Sequence, residues 1–339
     1  MTLRVGLAGL GNIGKVHARN LAASELVSSL VVHDVDAELT CALADELGAE
    51  PAEDFEAMLG RRVDAVVVAS PTSTHAALVT RAVGHGVPVF CEKPLAETLE
   101  QGLELAVVAE RSGVPVQVGL QRRFDPELIR IRQRLMQEQD GHLIGLRIVS
   151  TSWRPPPPEY LAGSGGFFRD KLVHDVDVVR WVTGREVEEV AATASGSAAG
   201  SAGRARDVDT ASISLVLSGG VVAQIWASRL SPTRFEFRLE AVCERSVLAA
   251  GAWDGDHPAT LVQSESPWPG YIERFGPAFE AEMRAFCLLA LCRGENACPP
   301  SEALRAEAVA AAAERASRRP ARVARDAGRG ERPARPEPA

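Results

Sequence analysis

The sequence predicts an α/β protein: an N-terminal doubly wound parallel sheet plus a C-terminal α+β domain with a large, mostly antiparallel open sheet. Three observations lead there. Short valine-rich apolar runs alternate with helical periods through the first 120 residues. A glycine-rich turn joins the first of these runs to the first helix. Beyond residue 146 the texture changes to strand patterns joined by tight turns.

The first-half strands are expected at residues 3–8, 30–34, 63–70, 87–92 and 116–119, apolar on both faces as helix-covered parallel strands must be. Helices are expected between them at 14–23, 37–47, 74–83 and 99–112. In the second half, prolines 155–158 give a stiff extended segment, and Gly163–Gly166 leads into a helix near Phe167. Strands follow at 187–194, 210–217, 221–228, 235–242 and 246–250, then helices at 277–291 and 301–317. The expected division is a cofactor domain over 1–122, a substrate and oligomerisation domain over 123–323, and a disordered Arg/Pro/Gly-rich tail over 324–339.

Composition narrows the function. The 339 residues are 46 % hydrophobic and 24 % charged, with a net charge of −8. That acidity argues against nucleic acid as a partner, since phosphate binding needs a basic face. No apolar run approaches the roughly 20 residues that span a bilayer, and the N-terminus runs directly into a strand. A cytoplasmic protein with no membrane partner is expected. The six cysteines (41, 91, 243, 287, 292 and 298) show neither C-x-x-C pairs nor zinc spacing, so buried reduced thiols are expected and no metal. Only three of 37 basic residues are lysine: Lys15, Lys93 and Lys171. Against an arginine-rich background, retained lysine marks positions where a removable proton matters. Lys15 and Lys171 are nonetheless read as solvated surface, and Trp181 and Phe286 as core.

Gly9-Leu10-Gly11-Asn12-Ile13-Gly14 follows a strand and opens a helix, the setting that makes such a loop the dinucleotide-binding turn of a Rossmann fold. Gly9 permits the tight turn, Gly11 admits the pyrophosphate, and Gly14 lets helix and strand pack closely. Asp34, twenty residues after Gly14, ends the second strand and would accept hydrogen bonds from the adenosine ribose. Its neighbours His33 and Val35 offer no cation for a 2′-phosphate, so NAD is expected and NADP is less favoured.

Chemistry is expected at two segments. Cys91-Glu92-Lys93-Pro94 lies at a strand's carboxyl end, where open α/β sheets bind ligands. In Phe167–Asp175, a helix starting near Phe167 would put Asp170 and His174 on one face. The carboxylate could then orient the imidazole, a pair suited to taking a proton from an alcohol. Asp175 turns away from His174 on such a helix. Only Asp177 could share that face, and two ligands make a poor metal site.

Together these segments resemble the glucose-fructose oxidoreductase / inositol dehydrogenase (Gfo/Idh/MocA) family over nearly the whole chain. The resemblance rests on the Gly9–Gly14 loop, Ser70-Pro71-Thr72 with His75, Glu92-Lys93-Pro94, Arg122-Arg123-Phe124-Asp125-Pro126, and Asp170-x-x-x-His174-Asp175. Within the family the chain looks most like inositol 2-dehydrogenases, through Arg154 and its prolines, Ser164-Gly165-Gly166, and Asp207-Val208-Asp209-Thr210. The resemblance implies NAD-dependent oxidation of a secondary ring hydroxyl of a cyclitol such as myo-inositol, or a related sugar, to a ketone. It implies that Lys93 hydrogen-bonds the reacting hydroxyl, and that His174 is the general base, oriented by Asp170. Glu92, His75, Ser70, Thr72 and Gln121 would help hold the cofactor, and Arg122 would line the substrate space. It also implies a homo-oligomer, dimer or tetramer, paired through the second sheet. One departure stands out: where inositol dehydrogenases carry a tyrosine-containing stretch, this chain has Leu230-Ser231-Pro232-Thr233-Arg234-Phe235. A nucleotide-sugar or keto-sugar oxidoreductase is therefore the alternative. A non-catalytic dinucleotide-binding regulator would be expected to have lost Lys93 or His174.

Overall fold

The computed structural model describes residues 1–153, 156–196, 207–231, 235–251 and 268–318. Arg154, Pro155, residues 232–234 and the expected tail at 324–339 lie outside them.

The first half runs β1 (Leu3–Ala8), α1 (Asn12–Ala22), β2 (Val27–His33), α2 (Ala37–Leu47), β3 (Glu50–Pro51), α3 (Phe55–Gly60), β4 (Ala65–Val68), α4 (Thr72–Gly84), β5 (Val89–Glu92), α5 (Leu99–Ser112) and β6 (Val116–Gly119). All pairings are parallel, in the order β3-β2-β1-β4-β5-β6. Every residue of β4, β5 and β6 is buried, as helices on both faces require. The sequence reading missed β3 and α3. The first has two residues; the second has six and is held by its Asp54 cap, whose carboxylate accepts from the Ala57 N–H. Neither is long enough to show a period.

A 3₁₀ turn (Gln121–Phe124) leads into α6 (Pro126–Met136), capped by Asp125. Then come β7 (Leu143–Thr151), α7 (Pro158–Gly163), a π turn (Phe168–Leu172) and α8 (Val173–Thr183). Strands β8 (Val187–Ser195), β9 (Thr210–Leu217), β10 (Val222–Ser228), β11 (Glu236–Cys243) and β12 (Val247–Ala250) complete a second sheet, ordered β12-β11-β7-β10-β9-β8. It is antiparallel except for the β7–β10 pair. β7 and α6 were not foreseen, although β7 is the strand on which both halves of this sheet pair. Burial alternates along β9, β10 and β11. One face carries helices; the other leaves Ile144, Val222, Trp226, Val242 and Val247 exposed.

Helices α9 (Tyr271–Ala290) and α10 (Pro300–Ser317) return to the first sheet. Met283, Phe286 and Cys287 enter one of its cores, and Cys298, Ala303 and Leu304 the other. The sheets divide near residue 122, but their cores do not divide along the chain. Trp181 packs partly buried against the core beneath the second sheet, and Phe286 is fully buried. Four cysteines are buried, whereas Cys41 and Cys292 are exposed, contrary to the expectation of buried thiols throughout. No described helix is long and apolar enough to cross a membrane.

Candidate active site

The glycine loop has the shape a dinucleotide needs. Gly9 has φ +97°, and a Cβ there would lie 2.3 Å from the Ser70 nitrogen. A Cβ on Gly14 would lie 2.0 Å from the Gly9 carbonyl oxygen. A Cβ on Gly11 would meet nothing within 4 Å, so that side of the loop is open. α1 has no side-chain cap, leaving its first N–H groups, at Asn12 and Ile13, available to a pyrophosphate. Asp34 follows β2 and accepts from the Leu10 N–H at 2.7 Å, so the carboxylate also shapes the loop. The residues present therefore fit a dinucleotide.

Four loop ends meet beside it. Ser70 bonds Thr74 side chain to side chain at 2.6 Å, at the turn into α4 where Thr72 lies half-buried. His75 is buried, with Nδ1 2.8 Å from the Pro94 carbonyl oxygen and Nε2 2.8 Å from that of Ser70. Burial pushes its pKa below the ordinary value. Both nitrogens face backbone carbonyls, so whichever one carries the ring's proton, His75 sits between the Ser70 and Pro94 loops. Glu92 is engaged likewise: Oε1 lies 2.7 Å from His17 Nε2, and Oε2 accepts from the Lys93 N–H. Both side chains are thus engaged within the protein, at the loops that surround the cofactor position. Gln121 is buried at the head of the 3₁₀ turn.

Lys93 stands just past β5. Its ammonium donates to the Asp170 carbonyl at 2.8 Å and to Asp170 Oδ1 at 2.9 Å. Burial opposes its charge, but the Asp170 carboxylate, with Tyr160 and Glu92, holds it above the usual lysine range. Burial likewise opposes the Asp170 charge, and Lys93, Tyr160 and Arg229 keep that carboxyl ionised below its ordinary value. The Tyr160 hydroxyl donates to Oδ1 at 2.8 Å, and Arg229 lies 3.3 Å from Oδ2.

Asp170 was expected to orient His174, and it does not. Lys93, Tyr160 and Arg229 take its carboxylate, while His174 Nδ1 has no hydrogen-bond partner among the described residues. The physical reason is twofold. Three donors outcompete a neutral ring, and the π turn over Phe168–Leu172 alters the four-residue register that an α-helix would give. Burial, then the fields of Lys93, Arg122 and Lys171, press the His174 pKa well below the ordinary value, so the ring is neutral.

Arg122 was expected to line the substrate space. Its guanidinium pairs with Asp175 and lies 4.5 Å from the Phe237 ring centroid and 5.3 Å from that of Phe275. Arg123 grips Asp177 through two bonds of 2.9 and 2.6 Å. Asp175 and Asp177 thus serve arginines. The ligand-type cluster among the described residues lies elsewhere, in His17, Glu92 and Glu282, whose ligating atoms lie within 4.8 Å of one another. Glu282 is fully buried, and burial and Glu92 push its pKa well up.

Lys171 is another correction. It is 9 % exposed, not surface, and its ammonium reaches Ser150 Oγ at 3.3 Å and Ser152 Oγ at 3.2 Å. Burial lowers its pKa to about 8. Lys15 is half-buried beside the glycine loop. Sequence reasoning also missed Tyr160, Arg229 and Tyr271, the last of which feels the Lys93 charge. Scarcity was the usable signal: the chain has only two tyrosines, and both stand around Lys93.

A dinucleotide loop, a charged lysine and a neutral histidine at the carboxyl ends of a parallel sheet define an NAD-binding oxidoreductase of the Rossmann type. Residues 3–120 match the oxidoreductase family with an NAD-binding Rossmann fold, and residues 128–249 match the GFO/IDH/MocA C-terminal domain. The chain belongs to the Gfo/Idh/MocA family of oxidoreductases. It is 35 % identical over 290 residues to the myo-inositol dehydrogenase Hyg17 of Streptomyces leeuwenhoekii, covering 85 % of this chain and 88 % of that one. A myo-inositol dehydrogenase structure from Corynebacterium glutamicum superposes with TM-score 0.85 at 32 % identity, covering 94 % of this chain and 97 % of that one. A scyllo-inositol dehydrogenase from Lactobacillus casei, solved with NAD(H) and scyllo-inositol bound, superposes with TM-score 0.82 at 26 % identity, covering 93 % and 97 %.

Proposed function

We propose that the protein oxidises a secondary ring hydroxyl of a cyclitol of the inositol type to a ketone, with NAD as hydride acceptor. The carrying observation is the Lys93–Asp170 ion pair set beside neutral His174 at the end of β5, next to the open glycine loop. NAD takes the hydride when bound. Lys93, held charged, donates a hydrogen bond to the substrate oxygen and favours its alkoxide character. His174, held neutral, accepts the proton. Asp170 acts through Lys93, and Tyr160 fixes Asp170. Asp34, with no cation at 33 or 35, favours NAD over NADP. Inositol-type relatives on both comparisons support the substrate class. Residues 1–122 serve the cofactor and 123–323 the substrate, and the exposed face of the second sheet suits pairing of copies in a cytoplasmic homo-oligomer.

The test is a panel of myo-inositol, scyllo-inositol and free sugars with NAD and NADP in parallel, read as reduced cofactor at alkaline pH. Turnover is expected with NAD and at least one inositol. Lys93→Met should abolish turnover while NAD binding persists. Near-wild-type turnover by that variant would refute the role of Lys93.

A further inference from the structure

Lys171 differs from the other cations gathered around Asp170 and Asp175. Arg122 has Asp175; Lys93 and Arg229 share Asp170; Arg229 also has Asp207. Among the described residues Lys171 makes no ion pair, and its ammonium rests on two serine hydroxyls. Those hydroxyls sit at the end of β7, the strand on which both halves of the second sheet pair. The groups facing Lys171 are Asp170 and Asp175 from its own helical segment, Arg122 from the 3₁₀ turn, and Arg229 past β10. The Asp170 carboxylate is already occupied by other cations, and Asp175 holds Arg122 through Oδ1 while its Oδ2, though part of the field on Lys171, forms no ion pair with that ammonium among the described residues. An ammonium has three protons to place, and burying one without a counter-charge is costly. Lys171 also lies one residue from Asp170 and close enough to His174 to depress that ring's basicity. An unpaired buried cation beside the candidate base is the arrangement expected where a ligand brings the missing charge.

We infer that Lys171 is a specificity-determining residue that binds an anionic group on the substrate, so that the preferred substrate is a ring polyol bearing a carboxylate or a phosphate. This rests on the dehydrogenase reading above and refines it. Substrate binding would exchange the weak serine contacts for a charge-assisted hydrogen bond while the ring hydroxyl meets Lys93. Burial has already brought the Lys171 pKa to about 8, so the amine is mostly charged at neutral pH, and an anion would hold it so.

The experiment compares ligands differing by one anionic group. With wild-type protein, kcat/KM with NAD and calorimetric affinity for the NADH complex are measured for myo-inositol against myo-inositol 1-phosphate, and for D-glucose against D-glucuronate. In at least one pair the anionic member should be favoured by about ten- to hundred-fold in affinity. The phosphate and carboxylate arms identify which anion is taken. Lys171→Gln, which keeps bonds to Ser150 and Ser152 but loses the charge, should erase that preference. Retention of NAD binding shows the variant is folded, and the wild-type ratios stand without it. Equal affinity within both pairs, or a preference that survives Lys171→Gln, would overturn the inference. Oxidation of a neutral inositol with no gain from either anion would sink this inference and leave the dehydrogenase reading intact. Absence of both binding and turnover across the panel would sink both.

Discussion

Lys93 shows how one charge is set by its surroundings. Burial alone opposes its charge; the Asp170 carboxylate outweighs that opposition. Asp170→Asn keeps the shape and removes the anion. The variant should lose about 10²- to 10⁴-fold in kcat. Its pH–rate profile should gain an ionisation below the wild-type lysine, because the ammonium is then stabilised by little but the Asp170 carbonyl. An unchanged profile would deny the coupling. Lys93, Asp170 and His174 were all legible as residues, because their types and spacing state their chemistry. Their wiring was not. A one-dimensional count of four residues assumes an α-helix, and the π turn at Phe168–Leu172 breaks that assumption. Lys171 was misread for a related reason: burial depends on Ser150 and Ser152, some twenty residues away on a strand with no evident pattern.

At the scale of elements, α9 carries an acid into the core. Glu282 sits with Glu92 and His17, and the 2.7 Å His17–Glu92 contact is too short for two ligands of a shared metal and right for a shared proton. Burial raises the Glu282 pKa, so folding takes up a proton as pH climbs past its ordinary value of 4.5. Stability from this group is full below that value and is lost as pH rises towards the folded pKa. Glu282→Gln removes the titration. Chemical denaturation from about pH 5 to 9 should show wild type losing stability relative to the variant as pH rises; parallel curves would contradict the assignment. The strands and helices with full periods were readable from sequence. β7 was not, because its Leu-Ile-Gly-Leu-Arg-Ile start mixes signals and a glycine interrupts it.

For the whole molecule, the two sheets are joined by buried ion pairs as well as by α9 and α10. Arg123, in the turn between the sheets, bonds Asp177 of α8 and the Ala297 carbonyl ahead of α10. Arg123→Ala leaves Asp177 buried and unpaired, and should cost about 3–5 kcal/mol in chemical denaturation. Replacing both partners with apolar residues should recover much of that loss. If Arg123→Ala were neutral, the pair would not be holding the halves together. The alternation of elements made the two sheets foreseeable, but the return of the last helices to the first sheet depends on long-range packing that no local pattern encodes.

The central claim is that hydride leaves a ring carbon for NAD under the control of Lys93 and His174. Myo-inositol deuterated at its ring carbons, incubated with NAD and the protein, tests it directly. The account predicts one deuterium in the recovered NADH, at the reactive nicotinamide carbon, and none with Lys93→Met. NADH formed without deuterium, or label transfer undiminished in that variant, would contradict it.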